Sequence, residues 1–95
     1  MEFEWDEQKA RINLQKHGVS FEIASEIFFK EEVLSFEDDR FEYGEIRSVA
    51  LGQVEGVVLH VVFTVREDRI RIISARKATR KEAQKYYEYF TKGTT

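Results

Sequence analysis

Val57 to Glu82 reads VVLHVVFTVREDRIRIISARKATRKE, and the fold turns on this stretch. Val57 to Val65 is dense in β-branched residues and alternates, the pattern of a strand. Pairing Val65 with Ile70 around Glu67-Asp68 closes a hairpin onto a second strand. Leu59, Val61, Phe63, Ile70 and Ile72 then share one face, and His60, Val62, Thr64, Arg71 and Ile73 the other. Strict alternation carried onward puts Arg76 on the side of Ile70 and Ile72. Thr79-Arg80-Lys81-Glu82 is a capping box, in which each end residue satisfies the other's backbone N–H, so a helix starts there.

Working outward, a turn at Gly52 to Gly56 separates Val57 from an earlier strand near Glu45 to Leu51. Before that, Val33 to Phe36 forms another strand, followed by the acidic Glu37-Asp38-Asp39-Arg40. Upstream of Val33 the apolar period changes from 2 to 3.6. Ser20 caps a short helix with Phe21, Ala24, Ile27 and Phe28 at core spacing. Asp6 caps a helix over residues 7–17 that Gly18 ends, with Ala10, Asn13, Leu14 and His17 facing inward and Lys9 and Lys16 beside them. Met1 to Trp5 alternates like a short strand. Downstream, Ala83, Tyr86, Tyr87 and Phe90 form the apolar stripe of the last helix, and Gly93 stops it. The order predicts an α+β fold: two N-terminal helices, an antiparallel meander of three or four strands, and a C-terminal helix.

Ninety-five residues with 42% hydrophobic and 35% charged content make one modest globular domain over 1–95 rather than a disordered chain. There is no cysteine, which excludes disulfides and cysteine-ligated zinc and fits a reducing cytoplasm. No leader-like or membrane-spanning apolar run is present, so a cytoplasmic location is expected. The net charge of −3 conceals an asymmetry: residues 1–45 hold 13 acids against 5 bases, and residues 66–95 hold 9 bases against 4 acids. A basic half beside an acidic one is the footprint of a local polyanion-binding face.

Two histidines 43 positions apart supply no metal-ligand spacing, and glycine-rich phosphate loops and GxSxG are absent, so neither metal nor cofactor is expected. Side chains alone can still cleave RNA. The chemistry needs a base for the 2′-hydroxyl, an acid for the leaving oxygen, and cations where phosphoryl charge develops. His17, His60 and Glu45 are the proton-transfer candidates. Arg47, Arg66, Arg71 and Arg76 are candidates for charge stabilisation, with Lys9 and Lys16 as further phosphate contacts. His17 also suits the carbonyls at a helix end, and His60, mid-strand among valines, reads as a packed residue. Arg76 could instead pair with an acid at the core margin.

FEWDEQK, then NLQKHGVSFEIA followed by FF, then GEIR, VVFTVRED and RIRIISARKATRKE resemble the BrnT toxins over about residues 3–90. KHGVSFE and RIISAR are the specific blocks. The resemblance implies a RelE-like ribonuclease fold and a type II toxin that arrests growth by cleaving RNA. It also implies a BrnA-type antitoxin with a ribbon-helix-helix region, so that operator DNA is reached only through the antitoxin. Lys16 and His17 match the KHG element, Glu45 and Arg47 the GExR element, Arg66 the arginine after the third strand, and Arg76 the end of RIISAR. The resemblance thus makes Arg47, Arg66 and Arg76 phosphate or transition-state contacts, with proton transfer by His17 or Glu45. Two other readings stay open: an inactive homologue serving as corepressor, and a plain RNA-binding domain with stacking tyrosines.

Overall fold

The expected hairpin is the centre of the molecule. In the structure, a computed structural model describing residues 1–38 and 44–91, β4 (Val57–Arg66) and β5 (Arg69–Lys77) pair antiparallel with Val65 opposite Ile70. Glu67 and Asp68 make the two-residue turn, both with positive φ (51° and 66°), which matches the twist of the flanking strands. Around the hairpin stand β1 (Glu2–Glu4), α1 (Glu7–His17), α2 (Phe21–Ser25), β2 (Val33–Glu37), β3 (Ser48–Val54) and α3 (Arg80–Thr91). The architecture is α+β, with a five-stranded sheet in the order β1-β5-β4-β3-β2. Asp39 and Arg40 of the acidic stretch, and the stop at Gly93, lie outside the described residues.

Each helix start follows from its cap. Asp6 Oδ1 accepts from Lys9 N at 3.0 Å, and Ser20 Oγ from Ile23 N at 3.1 Å. Thr79 and Glu82 complete the reciprocal box at 3.2 and 2.8 Å. Gly18 closes α1 with φ 72°, where a side chain would be strained.

Several features differ from expectation. The sheet gains β1, which pairs parallel with β5 (Phe3 opposite Ile70), a register set by residues 67 positions apart and so invisible to local periodicity. The second helix tightens after Ser25 into a 3-10 turn, Glu26–Phe29. Gly52 belongs to β3 rather than to the turn, which shrinks to Glu55-Gly56 between Val54 and Val57. Its glycine is there for packing: a Cβ at Gly52 would lie 2.6 Å from Ile27 Cβ.

A β-bulge decides which side of the sheet Arg76 occupies. Val62 pairs with Ser74 but Phe63 with Ile72, so Ile73 is an extra residue and the alternation of β5 inverts there. Ala75 thereby joins Ile72 in the core. Arg76, opposite His60, goes to the other face instead of lying beside Ile70 and Ile72.

On the core face Val19, Phe21, Ala24 and Ile27 pack against Ala50, Val61, Phe63, Ile72 and Ala75. α1 also seals the edge of β5 beyond the reach of β1. The buried Asn13 amide donates to Ala75 O (2.8 Å) and Val19 O (3.0 Å), and its oxygen accepts from Ala75 N (3.1 Å), replacing a neighbouring strand. Of the residues expected to face inward, Ala10 is half-buried, while Leu14 and His17 are exposed. A smaller cluster of Leu51, Val58 and Tyr86 lies beneath α3 on the second face.

Candidate functional site

The second face of the sheet is covered by α3 only toward β2 and the ends of β3 and β4 nearest their turn. Tyr86, Ala83 and Phe90 seal that region over Leu51, Val58 and Leu34. Further along β4 and β5 the same face presents His60, Val62 and Thr64 opposite Arg76, Ser74 and Arg71. Arg66 and Arg69 face each other at its end. Arg47 precedes β3 and extends its ladder, since its carbonyl accepts from Asp38 N at 2.8 Å. The alternation of β3 places it on the side of Val49, beside Thr64. Thr64 is itself buried, donating to Ile46 O at 2.8 Å.

The densest cluster is His60, Arg76 and Glu82. Arg76 donates to both carboxylate oxygens of Glu82, at 2.8 and 3.0 Å, and to Lys77 O at 3.2 Å. The hydrogen bonds from Arg76 hold the Glu82 carboxyl down at about 2, so it is ionised at neutral pH. His60 Nε2 stands 3.6 Å from Glu82 Oε2, and its Nδ1 is buried with no hydrogen-bond partner among the described residues. Burial first, and then the charge of Arg76, push the His60 pKa below its ordinary value, against the opposing pull of Glu82 and Asp38. His60 is therefore neutral at pH 7 and the cluster carries no net charge.

The other expected residues divide between two layers. Arg47 lies 3.7 Å from Glu45 through Nε. Arg71 pairs with Glu4 at 3.1 Å and Arg69 with Glu2 at 3.2 Å, which ties β1 to β5 through charge. Arg66 is exposed at the end of β4. Arg47, Arg66, Arg71 and Arg76 thus share one face. Along β4, Thr64 opposite Arg71 and His60 opposite Arg76 are separated by about 13 Å. His17, Lys9 and Lys16 belong to α1, in the layer against the core face, with Lys9 at its start, where Asp6 feels the charges of both Lys9 and Arg71.

Next to the cluster, Leu34, Phe36, Lys85, Glu88 and Tyr89 line a depression of about 390 Å³, with the Lys85 ammonium 4.5 Å from the Phe36 ring centre. Among the described residues no group of three or more His, Asp or Glu side chains is placed to hold a metal ion. No helix among them is long and apolar enough to cross a membrane.

Comparison with protein families decides the class. A model described as the ribonuclease toxin BrnT of type II toxin–antitoxin systems matches residues 5–82. The chain belongs to the BrnT family. It is thereby a ribonuclease toxin of a type II system, a class that works with a protein antitoxin. The match to BrnT spans α1, all of the sheet beyond β1 and the start of α3, so it includes the whole arginine-bearing face. A search of curated proteins finds no match.

Two members of the densest cluster are only partly legible in the sequence: His60 is a proton-transfer candidate that also reads as a packed residue, and Glu82 reads only as half of a capping box. Both readings are true of them, and neither reveals that the bulge turns Arg76 toward both. A register break inside the uninterrupted apolar and basic pattern of RIRIISAR leaves no mark in composition; only the two misfitting ends, Ile72 in the core and Ala75 in the core, disclose it.

Proposed function

We propose that this BrnT-family chain is a metal-independent endoribonuclease of the cytoplasm that arrests growth by cutting RNA. In this reading a BrnA-type antitoxin with a ribbon-helix-helix region neutralises it, and the pair reaches operator DNA through the antitoxin alone. The observation that carries the reading is the gathering of Arg47, Arg66, Arg71 and Arg76 on the sheet face that the helices leave partly open. Guanidinium groups suit this task because their planar donor forks match phosphate oxygens.

RNA lies along β4 and β5, with Arg47 on the scissile phosphate beside Glu45 and Arg66, Arg71 and Arg76 on phosphates along the strands. Glu45, whose carboxylate is placed beside Arg47, takes the proton of the 2′-hydroxyl. The 2′ oxygen bonds to phosphorus, the bond to the 5′ oxygen breaks, and that oxygen takes a proton from solvent. Arg47 stabilises the charge that develops on the phosphoryl oxygens, and the other arginines hold the RNA in register for that step. His17, Lys9 and Lys16, on α1, have no part in bond cleavage in this scheme.

Purified protein is expected to degrade RNA in EDTA, and induction to stop growth unless the ribbon-helix-helix partner is co-expressed. Arg76→Ala and Arg47→Ala should each lower cleavage by about 10²–10³-fold, Arg47 by loss of a preorganised donor and Arg76 by loss of the register that places the scissile phosphate. Their circular dichroism and melting should stay close to those of the parent. Full activity in both variants would remove the charge-stabilising role.

The pairing of Arg76 with Glu82 favours one second reading, in which the chain is an inactive homologue serving as corepressor. It predicts no growth arrest and no RNA cleavage, together with tight association to the DNA-binding partner.

A further inference from the structure

We infer that Glu82 is a positioning residue: it holds the Arg76 guanidinium from behind so that the opposite donor edge faces an RNA phosphate. This rests on the ribonuclease reading above and adds to it the group that sets the arginine. A guanidinium has five N–H bonds in a fixed plane. Nη1 spends both of its own, on Lys77 O and Glu82 Oε1, and Nη2 spends one on Glu82 Oε2. Nε–H and the second Nη2–H are left. These two point the same way, along the edge beside the side-chain stem, and no described residue accepts from either.

That remaining pair is itself a bidentate fork, suited to two oxygens of one phosphate. Arg76 is therefore doubly used: one edge is anchored to the protein and the other is presented to ligand. Glu82 can serve as an anchor because it is fixed twice over. Its Oε1 also accepts from Thr79 N at 2.8 Å, and its own backbone opens α3. His60 adds a third contact at 3.6 Å. A long side chain on a strand is thus immobilised before ligand arrives, which removes much of the rotamer entropy that binding would otherwise cost.

Glu82→Gln deletes a negative charge from an RNA-binding face. If only charge matters, binding to a polyanion tightens. If Glu82 positions Arg76, the variant loses rate in spite of its more favourable charge. Thr79→Ala serves as control, because it removes the other half of the capping box and leaves the fork between Arg76 and Glu82 intact. The probes are a fluorescently labelled single-stranded RNA oligonucleotide for cleavage and its all-deoxy counterpart, which lacks the 2′-hydroxyl, for binding.

Glu82→Gln is expected to lower kcat by about tenfold or more, on the scale of small misplacements of a catalytic group. Arg76→Lys, which keeps the charge and loses both forks, should fall at least as far. Thr79→Ala should melt earlier and cleave, while folded, like the parent. Glu82→Gln cleaving as fast as the parent, with equal or tighter binding, overturns the inference alone. So does a loss of rate in Thr79→Ala as large as that in Glu82→Gln, because the effect would then belong to the helix start. A parent protein that leaves the RNA intact removes the ribonuclease reading, and this inference with it.

Discussion

The two faces of one sheet have opposite designs although the same strands build both. The core face is apolar, closed by α1 and α2, and so tightly packed that Gly52 has no room for a methyl group. The other face carries four of the candidate arginines and is roofed by α3 at one end only. On the first, the Ala75 N–H and C=O that no neighbouring strand reaches are satisfied by a single buried amide, Asn13. On the second, charged side chains are satisfied mostly by one another, and donors are left over. A closed face can be made rigid by packing alone. An open face that must hold cations in place needs acids behind them, and Glu82, Glu45 and Glu4 stand where such acids are needed.

Damage to the core face should be felt on the open face. Asn13→Ala leaves the N–H and C=O of Ala75 and the Val19 carbonyl without the partner they have now. A loss of about 3 kcal/mol is expected, on the scale of buried polar groups left unpaired. Denaturant unfolding measures it; a loss below about 1 kcal/mol would mean that water replaces the amide. Ala75 directly precedes Arg76, so this variant should also impair cleavage below its melting temperature, by loosening the end of β5.

Gly52→Ala is milder and more selective. Its Cβ would meet Ile27 Cβ at 2.6 Å, so the 3-10 turn must shift away from β3. Overpacking of this kind destabilises by about 1–3 kcal/mol. Gly52 points to the core face, and cleavage by the folded fraction should be unchanged. Pairing it with Ile27→Val, which trims the opposing side chain, should recover part of the loss.

Much of this was legible in the chain, and the reasons are local ones. Asp6, Ser20 and Thr79 start helices through hydrogen bonds that span three residues, and Gly18 ends one through its own φ. The pairing of Val65 with Ile70 follows from a turn of two residues. What escaped was non-local or a matter of parity. β1 docks on β5 through Glu2 and Glu4, which from sequence are only two more acids. One bulge residue, Ile73, reverses every later side chain of β5. For the site the consequence is large: strict alternation sets Arg76 at the core margin, whereas the bulge puts it on the face shared with His60.

Acid offers the gentlest probe of the open face. Glu82 has its pKa lowered from 4.5 to about 2 by Arg76, so the folded state holds fewer protons than the unfolded chain between those values. Stability from this group is present above about pH 4.5 and is lost as pH falls toward 2. His60 has its pKa lowered below 6.5, chiefly by burial, so it too adds a loss on acidification, one that begins near pH 6.5 and ends at its folded pKa. Both signs agree: the protein weakens stepwise in acid. The Arg76–Glu82 pair remains solvent-accessible, so its part should be about 1 kcal/mol or less after screening. His60→Gln should remove the step that starts near pH 6.5 and spare the lower one, whereas Glu82→Gln should remove the lower step. Stability of the parent that rises between pH 7 and 5 would contradict the neutral, buried state of His60 and with it the uncharged balance of the cluster.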